Sequence, residues 1–240
     1  ETIDRILLKK LLPNPEIAAS ELGLYGAFYK LSIIMTLFIQ TFRYAAEPFF
    51  FSQHKSNDNK KVYADVMKYF TIIMIVIFLG VTMFYDFLIG FLGEAYHDER
   101  GFLVVSILLL ANLFLGIFYN LSIWYKLTEK TKYGAYLSIF GAIITLILNF
   151  VLIPIIGFVG SAIATLVCYF SMSVASYFIG KRLFPIPYNL KTIGFYIFNM
   201  LGIYFFIYFS PENILFNALL LVGFIIFVYL TEKPKTSKIL

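Results

Sequence analysis

The chain has 240 residues, of which 60% are hydrophobic and only 14% are charged, and its formal net charge is +5. Soluble domains are roughly 45–50% apolar and about 25% charged, so this composition excludes a soluble globular protein and indicates a polytopic membrane protein. The basic excess does not indicate nucleic-acid binding, because the lysines lie in short segments between apolar stretches, where they set membrane topology.

Seven apolar stretches are long enough to cross a bilayer, for which a helix needs about 20 residues. They span residues 24–51, 67–89, 102–125, 133–153, 159–179, 193–209 and 214–230. A partial helix at 3–12 precedes them, and the chain opens on Glu1 within a helical pattern, as a fragment of a longer protein would. The sequence predicts an all-α polytopic transmembrane bundle of seven full spans plus a partial N-terminal helix.

Basic residues lie on alternate connections between the spans. Thirteen of them lie in segments 52–68, 126–132 and 181–191 and in the tail, whereas the other connections contain only Arg100 together with several acidic residues. By the positive-inside rule, we expect the first group, here called the lysine-rich side, and the C-terminus to be cytoplasmic. The opposite face is called the acidic side. The alternation supports the span count, because a miscounted span would put a lysine-rich segment on the wrong side.

The first full span carries polar residues at helical spacing. A helix advances about 100° per residue, so side chains three, four or seven positions apart share a face. One such stripe contains Tyr25, Tyr29, Ser32, Thr36, Gln40, Arg43 and Glu47. Lys30 lies in the same span, about a third of a turn away from the stripe. Because an ionisable group near the bilayer centre costs at least ~2.5 kcal/mol, it needs a partner or an aqueous cavity.

Arg43 and Glu47 are four residues apart, so we expect them to pair across one helical turn. Pro48 clashes with the carbonyl four residues before it, which predicts a kink near Arg43. Two interpretations stay open. In the first, Arg43 and Glu47 form a structural pair whose side chains reach the membrane interface. In the second, Arg43 and Lys30 present positive charge to an anionic substrate group, to which a guanidinium can donate two hydrogen bonds. Arg43, Glu47, Gln40 and Lys30 are therefore candidate substrate-binding residues.

Other polar residues within the spans point to structure rather than catalysis. We expect interhelical hydrogen bonds from the asparagines at 112, 120, 149 and 199. His54 and His97 fall on opposite sides of the membrane and cannot share a metal ion, and Cys168 in its apolar run is expected to be a small buried side chain. No HExxH, CxxC or GxxxxGK[ST] pattern occurs. The sequence predicts no catalytic residue, cofactor or metal site, and therefore not an enzyme.

Several stretches resemble one family of membrane transporters. They are GLYGAFYKLS at 23–32, FRYAAEPFFF at 42–51 and NFVLIPIIGFVGSAIAT at 149–165, together with the opening TIDRILLKKLL. They are similar to the C-terminal half of Wzx-type polysaccharide or O-antigen flippases of the MOP superfamily, which are relatives of MATE exporters and lipid II flippases. The resemblance covers nearly all of this chain but about half of a family member.

The resemblance implies that residues 1–240 form the C-terminal lobe of a two-lobe MOP- or MATE-like transporter whose N-terminal lobe is absent from this chain. Such flippases move an undecaprenyl-pyrophosphate-linked oligosaccharide from the cytoplasmic to the periplasmic leaflet of the bacterial inner membrane, by alternating access, in polysaccharide and O-antigen biosynthesis. A cationic cavity between the lobes receives the pyrophosphate and sugar, and Lys30, Arg43 and Glu47 lie in matching motifs. The implied partners are the lipid-linked oligosaccharide, the bilayer, the missing lobe and polysaccharide assembly proteins, without nucleic acid.

Two other functions compete with this interpretation. A MATE-like cation-coupled exporter of small molecules would use an acidic residue to bind a cation or a coupling proton. A membrane glycosyltransferase or O-antigen polymerase would need a long extramembrane loop with catalytic residues, and no connection here is long enough. The sign of the charge in the transport cavity distinguishes the flippase from the exporter. Arg43 and Lys30 favour an anionic substrate, whereas an unpaired Glu47 would favour a cation.

Overall fold

The structure is a computed structural model that describes residues 3–53, 59–210 and 213–236, with the backbone alone at 234–236. Within these ranges the chain forms α-helices and a short 3₁₀ turn at Glu94–Tyr96. The helices are α1 (Ile3–Leu11), α2 (Pro15–Gln53), α3 (Asn59–Met83), α4 (Tyr85–Gly90), α5 (Gly101–Leu121), α6 (Ile123–Leu127), α7 (Lys132–Ile156), α8 (Phe158–Leu183), α9 (Leu190–Phe209) and α10 (Ile214–Thr236). Seven helical segments, with α5 and α6 counted as one, are long and apolar enough to cross a membrane. The predicted all-α bundle of seven spans is confirmed.

Some residues used in the sequence analysis lie outside the described ranges. They are Glu1, His54, Lys55, Glu212 and Lys238. The contribution of these residues to the predicted sidedness, and the predicted separation of the two histidines, stay predictions.

The first span begins earlier than the sequence predicts. Segment 13–23 was expected to be a connection, but α2 already starts at Pro15. Asn14 accounts for this start, because its side-chain oxygen accepts a hydrogen bond from the backbone N–H of Glu16 at 2.8 Å. Proline at the first helical position lacks only a donor that would have had no partner inside the helix. The prediction of a connection is therefore wrong from Pro15 onwards.

The second span differs from its prediction at both ends. Helix α3 starts at Asn59, within the expected connection 52–68, where the buried hydroxyl of Tyr63 donates to the backbone carbonyl of Phe50 at 3.0 Å. The expected continuous helix to residue 89 is wrong, because the helix is interrupted at Phe84 before α4. The Thr82 hydroxyl donates to two carbonyl oxygens of the preceding turn, at 2.9 and 3.3 Å, and such back-bonding bends helices.

Helix α5 lies at the centre of the bundle and packs against α2, α3 and α8. In the most apolar window of the Gly101–Leu127 span, 72% of the residues are buried, the largest share among the seven spans. Val104, Val105, Leu109 and Leu113 are fully buried. Because lipid chains are as apolar as these side chains, close packing between helices stabilises this arrangement more than transfer out of water does.

Helices α7, α9 and α10 form the periphery. Only 17% of the apolar window is buried in α7, 22% in α9 and 6% in Ile214–Lys233 of α10. The open face of α7 carries large apolar side chains such as Ile143, Ile147 and Phe150. These surfaces have the composition of helix faces that contact lipid.

The connection between α7 and α8 requires glycine at two positions. Gly157 has φ +59° and ψ −138°, and a Cβ atom there would overlap Oε2 of Glu21. That oxygen accepts a hydrogen bond at 3.1 Å from the backbone N–H of Phe158, the first residue of α8. A Cβ atom at Gly160 would lie 2.7 Å from the carbonyl carbon of Leu152. Tight packing of these two helices therefore depends on the absence of side chains.

Two of the four asparagines make the expected interhelical hydrogen bonds. Asn112 donates to a carbonyl of α2 at 3.4 Å, and the side-chain oxygen of Asn149 accepts from Ser161 of α8 at 2.9 Å. Asn120 and Asn199 instead donate to carbonyl oxygens one turn earlier in their own helices. The prediction is wrong for these two, because a helix offers its own acceptors to a short amide side chain.

We predict that Gly157→Ala destabilises the fold and that Gly194→Ala does not. The first substitution places a side chain in a backbone region that costs ~1–3 kcal/mol and displaces Glu21. The second adds a Cβ atom with nothing within 4 Å, in a helix where alanine is favoured over glycine. Thermal unfolding in detergent measures both, and equal melting temperatures for the two variants would contradict the account.

Candidate functional site

The cationic end of the polar stripe lies between α2 and the α5–α6 segment. The guanidinium of Arg43 lies over the ring of Tyr119, 4.3 Å from its centroid. Its Nε atom is 3.7 Å from a carboxylate oxygen of Glu47, which confirms the expected pair. Lys126 donates a hydrogen bond to the same oxygen of Glu47. We call these four residues the Arg43 cluster.

The Arg43 cluster has two cations and one carboxylate, so its net charge is positive. Arg43 and Glu47 each have 38% of their side chain exposed. The Nε atom of Arg43 is buried and has no hydrogen-bond partner among the described residues. The cavity beside the cluster measures about 10 Å³, which is room for one water molecule at most. In this conformation an anionic group can reach Arg43 only from its exposed side.

Lys30 and Gln40 lie on the face of α2 that no other described helix covers. This face carries exposed residues at helical spacing, namely Lys30, Ile33, Ile34, Leu37, Gln40, Thr41 and Tyr44. About 20 Å of helix separates Lys30 from Arg43, so Lys30 does not join the Arg43 cluster. Gln40 is one turn from Arg43 but is exposed on the open face.

Contacts between α2 and the two ends of the Gly101–Leu127 span show the depth of this face. Phe28 lies against Gly101 at the start of α5, and Glu47 pairs with Lys126 near the end of α6. Residues of α2 between these contacts therefore lie at the depth of the Gly101–Leu127 span. Lys30, Gln40 and Arg43 are all within this interval.

The remainder of the stripe is covered by protein. The hydroxyl of Tyr25 donates to a carboxylate oxygen of Asp4 in α1 at 2.7 Å. The guanidinium of Arg5 lies over the ring of Tyr29, 5.2 Å from its centroid, and Ser32 is buried. The stripe is thus not one continuous surface, because α1 packs against its first part.

Asp4 is a buried carboxyl group that was not among the candidate residues predicted from the sequence. The residue is 4% exposed, and besides the bond from Tyr25 it accepts one at 3.1 Å from the backbone N–H of Arg5. A cavity of about 230 Å³ adjoins it, lined also by Thr145 and Thr165 from the inner parts of α7 and α8. Carboxylate and hydroxyl oxygens suit a proton or a hard cation. The sequence signal that could have identified Asp4 is an acidic residue within an apolar helical pattern.

A buried ion pair joins α3 to α10. Nζ of Lys68 lies 2.7 Å from a carboxylate oxygen of Glu232, and only 9% and 7% of the two side chains are exposed. The hydroxyl of Tyr196 in α9 donates to the other oxygen at 2.9 Å. Lys68 belongs to the segment 52–68 that the sequence predicts to be a connection, and Glu232 lies beyond the last predicted span. An acidic residue in an otherwise basic tail was the only sign of this pair.

On the acidic side, Arg100 joins three segments of the chain. It donates to Glu21 of α2 at 2.8 Å and to Asp98 at 2.9 Å, and its guanidinium lies over the ring of Phe158, 4.2 Å from the centroid. The hydrogen bonds from Arg100 lower the pKa of Asp98. Because the folded-state pKa is lowered, this contact stabilises the fold at neutral pH and is lost only as the pH falls through that lowered value.

These clusters are the main charged features available for function. Among the described residues, no group of three or more His, Cys, Asp or Glu side chains could hold a metal ion. Comparisons with protein-family models, curated proteins and solved structures found no match for this chain. The function is therefore inferred from charge, depth and exposure.

We predict that Glu232→Ala lowers the melting temperature much more than Glu47→Ala. Removing one partner of a buried ion pair costs about 3–5 kcal/mol. The pairs of Glu47 are partly exposed, at 24–38% of each side chain, so solvent screens them and their loss costs less. The two variants make the same chemical change, so each is the control for the other. Thermal unfolding in detergent measures the difference. A larger loss for Glu47→Ala would contradict the ranking of the two clusters.

Proposed function

We propose that this chain is the C-terminal lobe of a flippase that moves a lipid-linked oligosaccharide across the membrane by alternating access. The observation that carries the proposal is the open face of α2, on which Lys30 and Gln40 lie at membrane depth, with Gln40 one turn from the Arg43 cluster. If lipid covered this face, Lys30 would need to reach the interface or be neutralised, at a cost of ~2.5 kcal/mol or more near the centre. An aqueous groove between two lobes removes that cost.

The charge of the groove favours an anionic substrate group. Lys30 and Arg43 both lie on or beside the open face, and the carboxylate of Glu47 is already engaged by Arg43 and Lys126. A pyrophosphate presents several acceptor oxygens, which a guanidinium can bind through two parallel hydrogen bonds. The unsatisfied Nε atom of Arg43 is one donor that such a group would use.

Access to Arg43 requires a change in the lysine-rich end of α2. The adjoining cavity of about 10 Å³ is too small for a phosphate. The helix continues through Pro48 to Gln53, and the proline leaves the carbonyl of Tyr44 without its helical hydrogen bond. In the proposed cycle, bending at this point opens the Arg43 cluster on the lysine-rich side. The predicted kink stays a prediction.

An apolar groove between α9 and α10 fits the hydrocarbon part of such a substrate. It measures about 410 Å³ and is lined by apolar side chains that include Ile203, Leu219, Phe224 and Phe227. A prenyl chain in this groove would stay in contact with lipid while the polar head group occupies the aqueous groove. The groove suits the hydrocarbon part of the substrate, and the open face of α2 suits its anionic part.

The proposed function implies an orientation of the chain in the membrane and a second lobe as its partner. The lysine-rich side and the C-terminus are placed in the cytoplasm of a bacterium, with the chain in the inner membrane. A second, N-terminal lobe covers the open face of α2, because one lobe alone does not enclose a cavity. The resemblance of 23–32, 42–51 and 149–165 to polysaccharide flippases supports this assignment.

A second candidate, a cation-coupled exporter of small molecules, is favoured by Asp4. Its carboxyl group is buried beside a cavity of about 230 Å³ with threonine hydroxyl groups in the lining. Such a group can exchange a proton or a cation during a transport cycle. The positive charge of the Arg43 cluster argues against a cationic substrate, so we rank this function second.

We predict that Arg43→Ala abolishes glycan export while the protein stays in the membrane. The complete reading frame that contains this chain is expressed in a strain lacking its O-antigen flippase, and surface lipopolysaccharide is examined. Arg43→Lys restores export poorly, because an ammonium group cannot reproduce the two parallel hydrogen bonds of a guanidinium. Arg182→Ala, which removes an exposed arginine on the same side, is the control and keeps normal export.

Two results would contradict the flippase proposal. One is normal surface glycan in cells that carry Arg43→Ala. The other is resistance to cationic drugs that Asp4→Asn abolishes and Arg43→Ala leaves intact, since that pattern is expected of the exporter. Asp4→Asn keeps the size of the side chain, so its effect reports the loss of the carboxyl group rather than of packing.

A further inference from the structure

A cavity of about 400 Å³ opens on the acidic side, between the α3–α4 junction, the start of α5, and the facing ends of α9 and α10. Its volume is in the usual range of small-molecule sites, about 300–1,000 Å³. It is separate from the Arg43 cluster and from the open face of α2. None of the functions considered above uses it.

A tyrosine forms part of the cavity wall. Tyr85 lines the cavity and is 7% exposed, and its hydroxyl oxygen lies beside Gly101 at the start of α5. Burial, followed by the charges of Asp86 and Asp98, raises the pKa of Tyr85 to about 12. The hydroxyl therefore stays protonated and can donate to a ligand as well as accept from it.

The charged groups at the cavity are mainly hydrogen-bond acceptors. Asp86 and Glu99 line it and form no ion pair with a described residue, whereas Asp98 is neutralised by Arg100. The side-chain nitrogen of Asn217 donates to a backbone carbonyl at 2.8 Å, which leaves its oxygen as a further acceptor. Ionised carboxylates cannot donate. The lining also includes His97, whose ring can donate, but the two carboxylates without an ion pair favour a ligand that carries donors and positive charge.

Aromatic rings form another part of the lining. Phe102 contacts the rings of Tyr85 and Tyr208, with centroids 5.3 and 5.9 Å apart, and all three residues line the cavity. Aromatic faces attract cations and pack against the apolar faces of ring-shaped molecules. Acceptors and rings around one cavity match a ligand larger than an ion.

The arrangement does not match a metal centre. The described part of the chain contains no group of three or more His, Cys, Asp or Glu side chains that could hold a metal ion. The two carboxylates without an ion-pair partner line the cavity together with aromatic rings. An organic ligand that contacts several parts of the lining fits this distribution.

We propose that this cavity binds a small organic ammonium ion that carries hydroxyl groups, such as an amino sugar. The ammonium group pairs with Asp86 and Glu99, the hydroxyl groups bond to Tyr85 and Asn217, and the apolar face of the ligand packs on Phe102 and its neighbouring rings. This inference does not rest on the proposed function, because it depends only on groups on the acidic side.

The test compares glucosamine with glucose at neutral pH, where most of the glucosamine amine is protonated. Binding to the full chain in detergent is measured by saturation-transfer NMR titration. We expect glucosamine to bind more tightly than glucose. The double substitution Asp86→Asn with Glu99→Gln should weaken glucosamine binding about tenfold, as loss of bonds to a charged group does. Tyr85→Phe, which removes only the hydroxyl, should weaken it less.

Glu94→Gln is the matched control, because it removes a charge on the same side from an exposed residue that does not line the cavity. It should leave binding unchanged. Elution of each variant as a single peak shows that it is folded. The proposal is overturned by absent glucosamine binding, by equal binding of glucose, or by unchanged binding in the double variant. Displacement of glucosamine by magnesium ions through Asp86 and Glu99 would assign the cavity to a metal ion instead, and would also overturn it.

Discussion

Three sets of charged side chains join helices at the two ends of the bundle, and the arrangement of the spans depends on them. The pair of Glu21 with Arg100 joins α2 to the start of α5, and the Arg43 cluster joins the same helices at the other end. The pair of Lys68 with Glu232 holds α10, which is otherwise little buried, against α3. An unpaired charge in an apolar environment is expensive, so these pairs also exclude packings that would separate their partners.

Helix α2 connects the features that the proposed function needs. Through Tyr25 it touches Asp4 and its cavity, and through Arg43 it contributes the cationic cluster. Between them, Lys30 and Gln40 lie on a face that none of the described helices covers. One element of 39 residues therefore contacts both the region suited to a cation or proton and the region suited to an anion. In the proposed transporter, movement of α2 would affect both regions together.

Structural features that depend on the residues of a single segment could be predicted from the sequence. Apolar length predicted the seven spans, and helical spacing predicted the pair of Arg43 with Glu47, because both properties lie within one segment. Contacts between distant segments were not predictable. Lys68 and Glu232 are 164 positions apart in the sequence. Nothing in the residues around either one indicates that the other is its partner. The burial of Asp4 likewise depends on how α1 folds back against α2, which no spacing in the sequence shows.

The central claim is that the open face of α2 borders water, and thiol labelling tests it most directly. In the complete reading frame, with Cys168 and any further cysteine replaced by Ala, a single cysteine is placed at Leu37 on that face or at Ile147 on α7, both of which are 57% exposed. A charged, membrane-impermeant maleimide reacts only with a thiolate that water reaches. The account predicts rapid labelling of Leu37→Cys and little labelling of Ile147→Cys. Equal resistance of both positions would mean that water does not reach this face of α2, and would contradict the account.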